Sequence, residues 1–166
     1  AGCGCGIYSL KLATFGFDVS GFDISAKAVE VAKQLLKISS VKANLKTADI
    51  VSTGYCNGWF DAVISRDVID HISKKDAVHA LRELCRITKP GGNIIITLDR
   101  ADDEYESEPH TVNSDGDYIY AGGKWSGMFF HPYSEREIDE IIPKGTESVI
   151  EKCDDGITVW ITKPTR

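Results

Sequence analysis

FDAVISRDVIDHISKKDAVHALRELCRITKPGGNIIITL, residues Phe60–Leu98, holds two short apolar runs on either side of a helical pattern. The runs VISR and IIITL show no polar alternation, as expected of strands covered on both faces. Between them Ala77, Ala80, Leu81, Leu84 and Cys85 recur at the spacing of one buried helix face. Ser73 can cap that helix, with Asp76 in its first turn. A strand, a helix and a second covered strand in this order predict a parallel crossover unit.

The same alternation continues on both sides. Upstream, Ile7 to Phe15 reads as a helix that stops at Gly16. A second helix follows Ser25, with Ala28, Val31, Ala32, Leu35 and Leu36 on its inner face. The runs Phe17–Asp23 and Val41–Ile50 read as the strands between helices. Downstream, Ser134 and Glu137 spell a capping box, Tyr133 and Ile138 can staple it, and Ile141 and Ile142 continue the face. Glu147–Cys153 and Ile157–Thr162, separated by DDG, predict a closing antiparallel hairpin. The expected fold is therefore α/β, a doubly wound parallel sheet finished by an antiparallel pair. Residues 100–133 stand apart as a long insertion without a clear helix, acidic first and aromatic later. Loops of that length are functional lids or disordered, and the aromatics favour a lid.

Composition limits the partners. The 166 residues form one domain, 42% hydrophobic and 27% charged, with a mean hydropathy of -0.16. A net charge of -6 and a pI near 5.2 leave no broad basic face for a nucleic acid. No apolar run approaches the roughly 20 residues of a membrane span. Cys3, Cys5, Cys56, Cys85 and Cys153 are odd in number and scattered, and read as free, reduced thiols of a cytoplasmic protein. Cys3 and Cys5 lack the spacing and second pair of a zinc site, so no metal is expected.

The chemistry-bearing residues come in a fixed order. Gly2, Gly4 and Gly6 in AGCGCG can bring backbone close to a compact polar ligand, or can simply make a strand-to-helix turn. Asp23 in GFDIS ends the next strand, where a carboxylate can accept from both ribose hydroxyls or can favour a helix start. Asp49 in TADI ends the strand after that, and can meet an adenine amino group or start a turn. Then follow FDAVISR, a helix, KPGG and IIIT.

That series resembles the class I S-adenosylmethionine-dependent methyltransferases, small-molecule type, over essentially the whole chain. AGCGCG is similar to the last six positions of the family's acidic-x-Gly-x-Gly-x-Gly motif, and LRELCRITKPGGNIIIT to its helix, Lys-Pro-Gly-Gly turn and fifth strand. The resemblance implies a Rossmann-like sheet of order 3-2-1-4-5-7-6 with the seventh strand antiparallel. It also implies that strand one and its acid are missing ahead of Ala1. S-adenosylmethionine is the implied cofactor: Gly2, Gly4 and Gly6 beside the methionine part, Asp23 and Ile24 at the ribose, Asp49 and Ile50 at the adenine, and Ser65 and Arg66 near the transferring methyl. A small-molecule methyl acceptor is the implied substrate.

His71 and His131 are the candidate bases, with Asp67 beside the same strand end. Each histidine can equally be packed or solvated. Tyr118, Tyr120, Trp125, Phe129 and Phe130 can line an acceptor pocket or pack the insertion down. The alternatives are an NAD(P)-dependent oxidoreductase and an inactive cofactor-binding homologue. Gly-x-Gly-x-Gly departs from the dinucleotide fingerprint, because Ile7 stands where its third glycine belongs.

Overall fold

The computed structural model describes residues 1–154 and 156–165. Two compact units, Ala1–Tyr55 and Cys56–Arg166, divide the chain. In the first unit the glycine loop runs into α1 (Ile7–Thr14), followed by β1 (Ser20–Asp23), α2 (Ala26–Ile38) and β2 (Asn44–Thr47). β1 and β2 pair in parallel, with Ser20 opposite Asn44 and Asp23 opposite Thr47. Both strands are shorter than the apolar runs that announce them.

Ser25 caps α2 by accepting from the Ala28 N–H. The face that α2 buries is Val29, Ala32 and Leu36, packed on Leu45 with Cys3, Leu10, Val41 and Ala43 around it. This corrects the expected face: Val31 is 37% exposed, so the buried stripe is turned toward Val29. Ala32 lies so close to the loop that a Cβ on Gly6 would stand 2.7 Å from its own Cβ. Gly6 also holds φ 86, a conformation that side chains with a Cβ rarely adopt.

The second unit opens with β3 (Phe60–Arg66), a 3-10 turn at Ile69–His71, α3 (Lys74–Ile87) and β4 (Thr88–Asp99). The insertion holds α4 (Asp103–Ser107), β5 (His110–Val112), β6 (Tyr118–Tyr120) and β7 (Phe129–Phe130). Then come α5 (Glu135–Ile141), β8 (Glu147–Cys153) and β9 (Gly156–Thr162). The main sheet has the order β3-β4-β9-β8, parallel between β3 and β4 and antiparallel beyond. That order and the β1-β2 pair both agree with the expected Rossmann-like series. In the closing hairpin, Asp155 of the DDG turn lies outside the described residues.

Two sequence expectations need correcting here. β4 begins at Thr88, well ahead of the IIITL run, and its partner positions on β3 jump from Phe60–Thr88 to Ala62–Asn93. The Lys-Pro-Gly-Gly segment is thus an irregular bend carried within the strand. Gly92 is essential to it, because a Cβ there would meet the Asp61 carbonyl oxygen at 2.6 Å. The insertion also contains a helix: Asp102 caps the five-residue α4 by accepting from Glu104 and Tyr105 N–H groups.

The insertion carries a core of its own. Tyr105, Tyr120 and Phe130 are buried together, with Ala101, Tyr118, Trp125 and Met128 against them. Tyr105 stacks on Phe130 at 4.2 Å and on Trp125 at 5.7 Å. Packing, the second of the two readings open for these aromatics, describes Tyr120 and Phe130. α5 carries its full capping box, and the staple residues Tyr133 and Ile138 are both buried. Among the described residues no helix is long and apolar enough to cross a membrane.

Candidate active site

In the first unit the candidate residues gather at the carboxyl ends of β1 and β2. Gly2, Gly4 and Gly6 all hold positive φ, 62, 49 and 86, so the loop curls, with Gly2 and Gly4 partly exposed and Gly6 buried. Nothing stands within 4 Å of where a Gly4 Cβ would project. The Gly4 N–H donates to Asp23 Oδ2 at 2.8 Å, while Asp23 Oδ1 accepts from the Ser25 N–H at 2.9 Å. One carboxylate therefore ties the glycine loop to the start of α2, and each oxygen keeps a further lone pair. Cys3 sits in this curl, its thiol pushed up by burial and by the charge of Asp23.

Asp49 is exposed and accepts from the Val51 N–H at 3.0 Å, so the turn-forming reading of this residue holds alongside any binding role. Ile50 is buried and Ile24 is 73% exposed. Sequence reasoning missed Tyr55, whose ring packs 6.2 Å from that of Phe22 and lies beneath Lys46 Nζ at 3.5 Å. Burial pushes its hydroxyl pKa up.

In the second unit the candidates follow the carboxyl end of β3. Ser65 is fully buried, and its hydroxyl has no hydrogen-bond partner. Arg66 Nε donates to Asp67 Oδ2 at 2.9 Å. Asp67 holds φ 50 and is fastened to β4, its N–H donating to the Thr97 carbonyl and its Oδ1 accepting from Thr97 Oγ1 at 2.5 Å. This strained corner turns the chain into the 3-10 turn that carries Asp70 and His71.

His71 Nδ1 lies 2.9 Å from the Phe129 carbonyl oxygen. A carbonyl can only accept, so Nδ1 carries the proton and Nε2 is left with a lone pair. The ring is half-buried and leans on Phe130 at 5.9 Å. Asp70 is fully buried beside it: Oδ2 accepts from the Asp99 N–H at 2.8 Å, and Oδ1 has no partner. Burial pushes this carboxyl up to about 6, against the opposing pull of His71 and the Asp99 N–H. Tyr105 donates to Asp99 Oδ2 at 2.7 Å, and burial with that bond holds its own proton firmly. Asp70, His71 and Asp99 each offer an atom within 4.8 Å of the others.

His131 is placed differently from His71. It is 2% exposed, with Nδ1 2.7 Å from Asp117 Oδ1 and Nε2 3.3 Å from Glu137 Oε1, the latter out of line for a hydrogen bond. Nδ1 is committed to Asp117, and burial of the ring closes Nε2 to an acceptor. Asp70 and Asp99 were not singled out from sequence, although Asp99 obeys the rule that found Asp23 and Asp49, an acid ending a strand. Asp117 carries no such signal, because only the folded insertion brings it to His131.

A family profile described as "Methyltransferase domain" matches residues 1–96. Among curated relatives, the chain is 31% identical over 115 residues to phosphoethanolamine N-methyltransferase 3 of Arabidopsis thaliana, covering 69% of this chain and 22% of that protein. It is 31% identical over 106 residues to a ubiquinone biosynthesis O-methyltransferase of Dechloromonas aromatica, covering 63% of this chain and 45% of that one. The chain thus spans less than half the length of either. In fold it is similar to the crystal structure of a SAM-dependent methyltransferase from Methanosarcina mazei, with a TM-score of 0.83 at 19% identity, covering 99% of this chain and 91% of that one.

Proposed function

This chain belongs to the methyltransferase-domain family, and we propose that within it the chain serves methyl transfer from S-adenosylmethionine to a small-molecule acceptor. The observation that carries the reading is the bond from the Gly4 N–H to Asp23, which joins the glycine loop and the ribose-type acid in one cradle. The open space at Gly4 and the lone pairs left on Asp23 suit a nucleoside-bearing ligand. When bound, that cofactor supplies an electrophilic methyl group on a sulfonium sulfur.

The chain's own residues bind, orient and move a proton. Asp23 accepts from the ribose hydroxyls, with Ile24 beside it, while Asp49 and Ile50 frame the adenine. Gly2, Gly4 and Gly6 admit the methionine part, and Ser65 and Arg66 serve at the methyl end. His71 is the general base, taking a proton from the acceptor at Nε2 while Nδ1 stays bonded to Phe129. His131 holds structure rather than a substrate proton. The names of the two relatives, one acting on phosphoethanolamine and one in ubiquinone biosynthesis, support a small acceptor. The net charge of -6 disfavours a nucleic acid.

Titration calorimetry with S-adenosylhomocysteine and, separately, with NAD tests the cofactor. Binding of the first and not the second is expected; the reverse would overturn the assignment. Transfer of label from methyl-labelled S-adenosylmethionine to phosphoethanolamine, and to catechols as oxygen acceptors, then tests the acceptor class.

A further inference from the structure

Residues Phe129–His131 form a strap across the turn that carries Asp70 and His71. The Phe129 carbonyl accepts from His71 Nδ1 at 2.9 Å, and the His131 N–H donates to the Asp70 carbonyl at 2.7 Å. Between them the Phe130 side chain is fully buried and fixes the strap's face. What holds the far end is the His131 side chain. Its Nδ1–H reaches Asp117, which is buried and held from behind by Asn113 Nδ2 at 2.7 Å on Oδ2. Its Nε2 faces Glu137, already engaged by the Ser134 N–H and hydroxyl in the capping box of α5. Tyr133 packs edge-on against the ring at 4.3 Å. The imidazole thus spans the β5–β6 connection and the first turn of α5, and one backbone residue separates it from the carbonyl that His71 uses.

We infer that His131 is a positioning residue for His71: by pinning the strap between Asp117 and Glu137 it holds the Phe129 carbonyl where it keeps the proton on Nδ1 and the lone pair on Nε2. The consequence for catalysis rests on the proposal that His71 is the base, but the tautomer itself does not. A neutral imidazole in water distributes its proton between both nitrogens, so a single tautomer needs a fixed partner, and a carbonyl on a two-residue strand is fixed only if the strand is. Asp117 is the buried carboxylate that receives the ring's donor, so a side chain with a correctly placed N–H suffices and an apolar one does not.

The test is nitrogen NMR of the His71 ring in the full chain at a pH where it is neutral. In the parent, Nε2 is expected to resonate as the unprotonated nitrogen. His131→Asn puts an amide N–H near the place of Nδ1 and should keep that signature. His131→Leu should move both His71 nitrogens toward the averaged positions of a free imidazole. Asp117→Leu, which removes the anchor from the other side, is the second variant should His131→Leu not fold. A parent spectrum with the proton on Nε2, or an unmoved signature in a folded Leu variant, would overturn the inference. Loss of methyl transfer with the His71 signature intact would do the same, since it marks a merely structural role. If His71→Ala keeps full turnover, the catalytic reading fails by itself and the spectra still decide this one.

Discussion

At the scale of single residues, the decisive feature is how few partners each candidate has to spare. Asp23 spends one lone pair of each oxygen on the Gly4 and Ser25 N–H groups, so its remaining capacity points outward. Asp23→Ala is expected to weaken S-adenosylhomocysteine binding by about 1.5–3 kcal/mol, roughly 10- to 150-fold, by calorimetry. Asp23→Asn should lose less, because one oxygen remains to accept. For His71 the expectation divides differently. His71→Ala should lower turnover by about 10²- to 10⁴-fold, the range of general-base catalysis, with cofactor affinity unchanged. A fall in cofactor affinity instead, measured on the same variant, would reassign His71 to binding.

At the scale of elements, each candidate depends on a local joint. The glycine loop docks on α2 only because Gly6 has no Cβ to meet Ala32 at 2.7 Å and can hold φ 86. Gly6→Ala is therefore expected to cost about 2–4 kcal/mol in a urea melt, from overpacking and left-handed backbone strain together. α3 ends against Lys163, whose Nζ donates to the Cys85 and Thr88 carbonyls at 2.8 and 2.7 Å. These satisfy acceptors the helix leaves open, so Lys163→Met should cost about 1.5–3 kcal/mol by the same measurement. The capping box of α5 was legible in full, because Ser134 and Glu137 announce it locally. The phase of α2 was not: Val29 and Val31 both fit an apolar stripe, and only contact with Leu45 selects the first.

At the scale of the whole molecule, two carboxyls with opposite shifts shape the response to acid. Against the burial that opposes it, hydrogen bonds from Ser134, then electrostatic attraction from His131 and Lys74, hold Glu137 at about 2, well below its ordinary 4.5. Its stabilisation is present above about pH 4.5 and is lost as pH falls toward 2. Asp70 is raised from 3.8 to about 6 by burial, so its penalty is absent below pH 3.8, grows between 3.8 and about 6, and is complete above that. Urea midpoints are thus expected to climb from pH 2 to about 4.5 and to lose ground toward 7. Asp70→Asn should abolish the second slope and stabilise the chain by on the order of 2–3 kcal/mol at pH 8, with no gain at pH 3.5. What the sequence by itself determined was everything written in short range: the strand–helix alternation, the caps, the ordered series of glycines and strand-ending acids, and through them the family. What only the tertiary structure decided was which of those groups has a free atom. His71 and His131 look alike as letters, each a histidine next to a turn. One keeps an open nitrogen and the other lies between two carboxylates, because Phe129 and Asp117 reach them from 58 and 14 residues away. Pairings over such distances leave no period or spacing in a sequence; they exist only once burial has brought the partners together and made an unpaired polar atom costly.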